Sequence, residues 1–196
     1  MDDKISILIP AYNVERYIEK LLNSIKNQTY KNYEVIISDD CSQDNTVKII
    51  ENFCFNNQNI SIKLLKNNQN LGLSKNRNNV LENAKGKWIT FVDSDDYIEE
   101  EYLELLINTQ KKNNADLVIG ELRRVDDKGN IIQNQLLPLY PSKWLNGSVV
   151  TCLFRKDIIE KYNLRFKMET CSEDGLFCAQ YNYYIHNVAF ARRCKL

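Results

Sequence analysis

An α/β fold with a mainly parallel central sheet and helices on both faces is predicted by two features of this 196-residue sequence. Short apolar runs alternate with segments whose apolar residues recur at helical spacing, and parallel strands need crossovers that are normally right-handed helices. The length suits one domain, since roughly 100–200 residues per domain is the usual prior. With 43% hydrophobic and 27% charged residues, the chain can bury a core and lacks the composition of a disordered segment.

The elements follow in order. Ile5 to Ile9, closed by Pro10, suits a strand buried on both faces. Ile18, Leu21, Leu22 and Ile25 predict an amphipathic helix near 15–27. Val35 to Ser38 reads as a second strand, and Thr46 to Phe55 as a helix with Asp44 as its N-cap. Ile60 to Leu65 is a third strand, Ser74 to Asn83 a third helix, Trp88 to Val92 a fourth strand and Glu99 to Asn113 a fourth helix. After the apolar run Leu117 to Glu121 the rhythm changes. Asp127-Lys128-Gly129-Asn130 reads as a hairpin turn, and Pro138 and Pro141 bracket a loop. Val149 to Phe154 is a further strand candidate and Glu173 to Tyr184 a further helix.

Composition excludes several classes. Lys plus Arg number 26 and Asp plus Glu 26, so the strong positive field of a general nucleic-acid binder is missing. The start Met1-Asp2-Asp3-Lys4 lacks the pattern of a secretion signal, and no run approaches the roughly 20 apolar residues of a membrane span. A soluble, cytoplasmic protein is the expectation. Cys41, Cys54, Cys152, Cys171, Cys178 and Cys194 form no C-x-x-C pair, and His186 is the one imidazole, so buried reduced thiols are expected in place of zinc ligands or disulfides. His186 itself is expected at the surface.

In open α/β sheets ligands bind beyond the carboxyl ends of the strands. The second strand runs into Asp39-Asp40-Cys41-Ser42 and the fourth into Asp93-Ser94-Asp95-Asp96, which brings five carboxylates to one rim. Like charges this close repel unless a cation sits among them. Mg²⁺, commonly held by one or two carboxylates plus substrate phosphates and water, fits that need. If the segment stays extended, Asp93 and Asp95 point the same way. Neither G-x-G-x-x-G nor G-x-x-x-x-G-K-[ST] occurs, which disfavours dinucleotide oxidoreductases and P-loop enzymes. Phosphate charge would then be met by metal and by cations such as Arg77 or Lys75.

Taken in order, these blocks resemble family 2 glycosyltransferases of the GT-A fold over nearly the whole chain. Ile7-Leu8-Ile9-Pro10-Ala11-Tyr12-Asn13 resembles the opening strand and nucleotide loop, and Asp39-Asp40-Cys41-Ser42-Gln43-Asp44 the D-D-G-S-x-D segment. Asn70-Leu71-Gly72-Leu73-Ser74-Lys75-Asn76-Arg77-Asn78 resembles N-x-G-x-S-x-A-R-N. Ala84-Lys85-Gly86-Lys87-Trp88-Ile89 leads into D-S-D-D, and Glu173-Asp174-Gly175-Leu176-Phe177 resembles E-D-x-x-F. Cys41 departs from the family's glycine, and Asn76 and Asn79 from its small residues.

The resemblance implies a nucleotide-sugar donor, usually a UDP-sugar, a Mn²⁺ or Mg²⁺ ion, and inverting transfer to a glycan or lipid-linked acceptor in surface polysaccharide synthesis. It implies that Pro10, Ala11 and Tyr12 line the base, that Asp40, with Asp39, contacts uracil or ribose, and that Arg77 lies near the base or diphosphate. Asp93 is implied at the ribose with Ser94 beside it, and Asp95 at the metal with Asp96 adjacent, the direct ligand of the two staying open. Asp174 is implied as the general base and Glu173 as a residue shaping the site. On this reading residues 1–96 are the donor half and residues 97–196 an acceptor half cut short, since the family continues past the E-D-x-x-F helix. The basic residues Arg192, Arg193 and Lys195 leave a peripheral contact with anionic lipid at the inner face of the cell membrane open. A catalytically weak nucleotide-sugar-binding module is the alternative. A sugar-phosphate nucleotidyltransferase ranks last, because Pro10-Ala11-Tyr12-Asn13 is unlike its Gly-rich basic loop.

Overall fold

The computed structural model describes residues 3–126, 131–134, 147–167 and 172–192. The elements run β1 (Ile5–Ala11), α1 (Ile18–Lys26), β2 (Tyr33–Asp39), α2 (Thr46–Asn56), β3 (Ile62–Lys66), α3 (Leu73–Glu82), β4 (Trp88–Phe91) and α4 (Tyr102–Asn113). They continue with β5 (Leu117–Ile119), β6 (Arg123–Val125), β7 (Ile131–Asn134), β8 (Cys152–Arg155), α5 (Lys156–Lys161), α6 (Glu173–Tyr183) and β9 (Val188–Phe190). Seven strands form one sheet in the order β3-β2-β1-β4-β8-β5-β9. All its pairings are parallel except those of β8, which lies antiparallel between β4 and β5.

Every residue of β1 is buried because both faces of the sheet are covered. Ile5, Ile7, Ile9 and Ala11 join a core with Ile18, Leu21, Leu22 and Ile25 of α1, Ile50 of α2 and Leu103, Leu106 and Ile107 of α4. Leu8 and Ile36 join a second core with Val80 and Leu81 of α3, Ile158 and Ile159 of α5, and Phe177, Cys178 and Tyr181 of α6. The period-two alternation of the strands thus deals successive side chains to two helical layers.

Local polar contacts fix the connections. Glu34, buried on β2, accepts from Ser6 Oγ at 2.6 Å, Lys85 N at 2.7 Å, Gly86 N at 3.0 Å and Lys4 Nζ at 3.1 Å. Gly86 enters β4 so closely that a Cβ there would lie 2.7 Å from Lys4 O, Ser6 N and Ser6 Oγ.

Several boundaries differ from the sequence expectation for physical reasons. Helix α4 begins at Tyr102 and not at Glu99, because the carbonyls of Glu99 and Glu100 are drawn to Gln28 Nε2 (2.7 Å) and Thr29 N (2.9 Å). The N-cap of α2 is Asn45 and not Asp44, although Asp44 Oδ1 still accepts from Thr46 N at 3.0 Å. The Asp127–Asn130 turn lies outside the described residues, but its flanking strands β6 and β7 do pair antiparallel. The Pro138–Pro141 loop, Cys171, Cys194, Arg193 and Lys195 also lie outside them. Cys152 and Cys178 are buried and outside any disulfide, as expected, whereas Cys41 and Cys54 are only half-buried. His186 is exposed. Among the described residues, no helix is long and apolar enough to cross a membrane.

Candidate active site

A cavity of about 420 Å³ opens where β1, β2 and β4 end, and Pro10, Ala11, Tyr12, Asp40, Arg77 and Asp93 to Asp95 help to line it. Ala11 is buried while Tyr12 is 45% exposed, so the tyrosine ring stands at the mouth. Asp39 is not among the lining residues. Its Oδ2 accepts from Ser42 N at 3.1 Å, and its Oδ1 is buried without a hydrogen-bond partner.

The loops behind Tyr12 and Asp40 are cross-linked. Asn13 N donates to Ser42 Oγ (2.9 Å), Gln43 N to Asn13 Oδ1 (2.8 Å), Val14 N to Thr46 Oγ1 (2.8 Å) and Glu15 N to Asp44 Oδ2 (3.1 Å). These bonds give the serine and third aspartate of D-D-C-S-Q-D a physical purpose, which is to satisfy backbone donors of a loop that makes no strand. Cys41 takes φ +66°, a left-handed conformation that glycine adopts more readily.

Asp40 is nearly fully buried, and neutral donors hold it. Oδ1 accepts from Asn67 Nδ2 (2.8 Å) and Leu71 N (2.9 Å), and Oδ2 accepts from Gly72 N (2.9 Å). Gly72 stands at φ +84°, where a side chain would be strained, and it opens α3. On α3, Asn76 Nδ2 reaches Ser38 O at 2.9 Å, and Asn79 Nδ2 reaches Ser38 Oγ at 3.0 Å and Asn67 Oδ1 at 3.1 Å. The two asparagines that depart from the family pattern therefore tie α3 to the end of β2. Asn67 was not predicted: it lies outside every motif, and only the fold brings it to Asp40.

Arg77 is the hub of the other side. Its guanidinium, 4% exposed, pairs with Asp93 Oδ1 at 3.2 Å, with Glu173 Oε1 at 2.8 Å and with Asp174 Oδ1. The first turn of α6 presents Glu173 and Asp174, capped by Ser172, whose Oγ accepts from Gly175 N at 3.3 Å. Under that turn Phe166 and Phe177 stack with centroids 4.4 Å apart, and Phe91 packs edge-on against both. Asp174 Oδ2 also accepts from Ser148 Oγ (3.2 Å) and Val149 N (3.4 Å), two residues with no signature in the sequence. Burial raises the Asp174 pKa from its ordinary value, against the pull of Arg77 and Val149 and with the help of the Glu173 and Asp93 charges. Lys75 is exposed on α3.

Residues 93–96 are not extended. Asp96 N donates to Asp93 O at 3.1 Å, closing a turn, so period-two alternation does not apply and Asp93 faces Arg77 while Asp95 is exposed. Desolvation, then the charges of Asp95 and Asp93, push the Asp96 pKa up to about 6. Among the described residues no group of three or more His, Cys, Asp or Glu side chains is arranged to hold a metal ion. A second cavity, of about 790 Å³, lies between this turn, α4 and the β6–β7 ribbon, and Asp95 borders both cavities.

Residues 6–186 match the sequence model of glycosyl transferase family 2. The chain belongs to that family. As a family 2 chain it is 34% identical to the glycosyltransferase GlyA of Streptococcus pneumoniae over 84% of its own length and 23% of that protein. It is 33% identical to the poly(ribitol-phosphate) beta-N-acetylglucosaminyltransferase TarS of Staphylococcus aureus, over 89% of its length and 31% of that protein. It therefore spans less than a third of either relative. The crystal structure of S. aureus TarS 1-349 with UDP superposes at a TM-score of 0.84 with 27% identity, covering 97% of this chain and 58% of that one. The mannosyltransferase PcManGT of Pyrobaculum calidifontis, solved with GDP-Man and Mn²⁺, matches at 0.77 with 16% identity, over 96% and 55%. That match reflects the shared GT-A fold.

Proposed function

We propose that this family 2 domain transfers a sugar from a nucleotide-sugar donor, a UDP-sugar, to a hydroxyl of a glycan or lipid-linked acceptor in surface polymer synthesis. The observation that carries the reading is the meeting of Asp40, Arg77, Asp93 and Asp95 around one cavity, with Asp174 tied to it through Arg77. The TarS structure with UDP supports the choice of nucleotide.

In this reading the donor base packs against Tyr12 and meets Asp40, and Asp93 faces the ribose. Asp174 takes the proton of the acceptor hydroxyl as its oxygen bonds to the anomeric carbon, a role worth roughly 10²–10⁴ in rate. Its raised pKa makes it a stronger proton acceptor than an ordinary aspartate. Asp95 and Asp96 would hold a Mn²⁺ or Mg²⁺ ion, since their charges crowd one another and no ion pair among the described residues includes either. Such an ion would stabilise negative charge on the departing diphosphate. Attack opposite the leaving group inverts the anomeric centre and needs no enzyme nucleophile.

One observation favours the weaker reading of a binding module: both Asp174 oxygens are already engaged, by Arg77, Ser148 and Val149. Incubation with UDP-sugars and Mn²⁺ separates the two. Hydrolysis or transfer of the sugar is the enzyme's outcome, and binding without turnover is the module's. Calorimetry of UDP with and without chelator tests the metal, and binding that ignores both chelator and Asp95→Asn would remove the ion from the account.

A further inference from the structure

We infer that Asn67 sets the donor's base preference, by limiting Asp40 to a single acceptor site that suits uracil and disfavours guanine. The inference rests on the nucleotide reading above and goes a step further, to a residue in none of the sequence blocks that resemble the family.

A carboxylate offers about four lone-pair sites, two on each oxygen. On Asp40, Oδ1 already accepts two hydrogen bonds, from Asn67 Nδ2 and Leu71 N, while Oδ2 accepts one, from Gly72 N. One site on Oδ2 remains for a ligand in the cavity that Asp40 lines. None of the ion pairs among the described residues includes Asp40, so its charge is undiluted by a cation.

The orientation of the Asn67 amide follows from its partners. Its nitrogen must face Asp40, which can only accept, and its oxygen accepts from Asn79 Nδ2 at 3.1 Å. The same nitrogen reaches Asn76 Oδ1 at 3.3 Å, and the Asn67 backbone N donates to Asp39 O at 2.9 Å. The side chain is fixed from several directions, and the lone pair it fills on Oδ1 stays filled.

Uracil presents one ring N–H between two carbonyls, which a single carboxylate site satisfies. Guanine presents two adjacent N–H groups that match both oxygens of a carboxylate. With Oδ1 saturated, the second guanine donor would be left unpaired on binding, a penalty on the order of ten-fold in affinity.

The test is calorimetric titration of UDP and GDP, with Mn²⁺, into the full chain and its variants, with folding checked by circular dichroism. The wild type is expected to bind UDP at least about ten-fold more tightly than GDP. Asn67→Ala empties one site on Oδ1, and the UDP-to-GDP preference should fall by about ten-fold, with GDP affinity itself rising. Asn79→Ala, which leaves Asn67 Nδ2 on Asp40, should keep the preference. Should Asn67→Ala fail to fold, Asn67→Ser, whose hydroxyl is too short to bridge, carries the same comparison. Equal loss of UDP and GDP affinity in the Asn67 variant, or a wild type indifferent to the base, overturns the assignment. No binding of UDP to folded wild type overturns the donor reading itself.

Discussion

Asp40 and Asp174 both attach to helix α3, but through opposite chemistry. Asp40 meets Gly72 N at the head of the helix and two further neutral N–H groups, from Leu71 and Asn67. Asp174 meets the charged Arg77 one turn further on, and shares it with Asp93 and Glu173. Neutral donors fix a carboxylate without spending its charge, which suits recognition of a ligand's N–H. Three carboxylates around one guanidinium leave an excess of negative charge in a half-buried place. That arrangement suits a site that must accept a proton and works beside a cation.

The sharpest way to break this contrast is at Asp174. Asp174→Asn should lower sugar transfer by roughly 10²–10⁴ and leave UDP affinity within about two-fold, read by product formation and calorimetry. A comparable loss of UDP binding would make Asp174 part of the donor side instead. Since transfer needs the carboxylate form and the pKa of Asp174 is raised, activity should fade on acidification at a higher pH than an ordinary aspartate would dictate.

Next in size is Arg77→Ala, which leaves the three carboxylates without their buried cation and should cost about 3 kcal/mol in urea unfolding. Little change would mean that the acidic cluster tolerates its own repulsion. On the neutral side, Asp44→Ala removes the acceptor for Glu15 N and Thr46 N and should cost about 1 kcal/mol by the same measurement.

The smallest effect concerns Glu34. Burial alone would raise its pKa, but hydrogen bonds from Ser6, Lys85 and Lys4 together outweigh that and lower it. A depressed folded-state pKa gives stability that is present above the unfolded value and is lost as pH falls through the folded one. Stability measured from pH 5 downward should therefore drop less steeply in Glu34→Gln than in the wild type.

Much of this was legible in the chain. The buried run at Ile5, the helical stripe from Ile18 to Ile25, and the acidic strand ends follow from periodicity and from where parallel sheets bind ligands. A strand near Val149–Phe154 was legible too and forms β8 (Cys152–Arg155), whereas β9 (Val188–Phe190), three residues long, carries no period. The place of β8 between β4 and β5 is set by pairings with residues more than sixty and more than thirty positions earlier in the chain. The same holds at the site. Asp40 and Asp174 sit in motifs, whereas Asn67, Ser148 and Val149 matter only through what they touch. The alternation that would align Asp93 with Asp95 holds only while the chain stays extended, and it ends with the ladder of β4, beyond which Asp96 N turns back to Asp93 O.

The antiparallel insertion of β8 has an engineering consequence. Trp88 and Ile89 of β4 are paired with Arg155 and Phe154, so a donor half cut after Asp96 would present a bare apolar strand to solvent and invite aggregation. Recombining donor and acceptor halves between relatives should therefore move residues 152–155 together with the first half, as a graft and not as a cut.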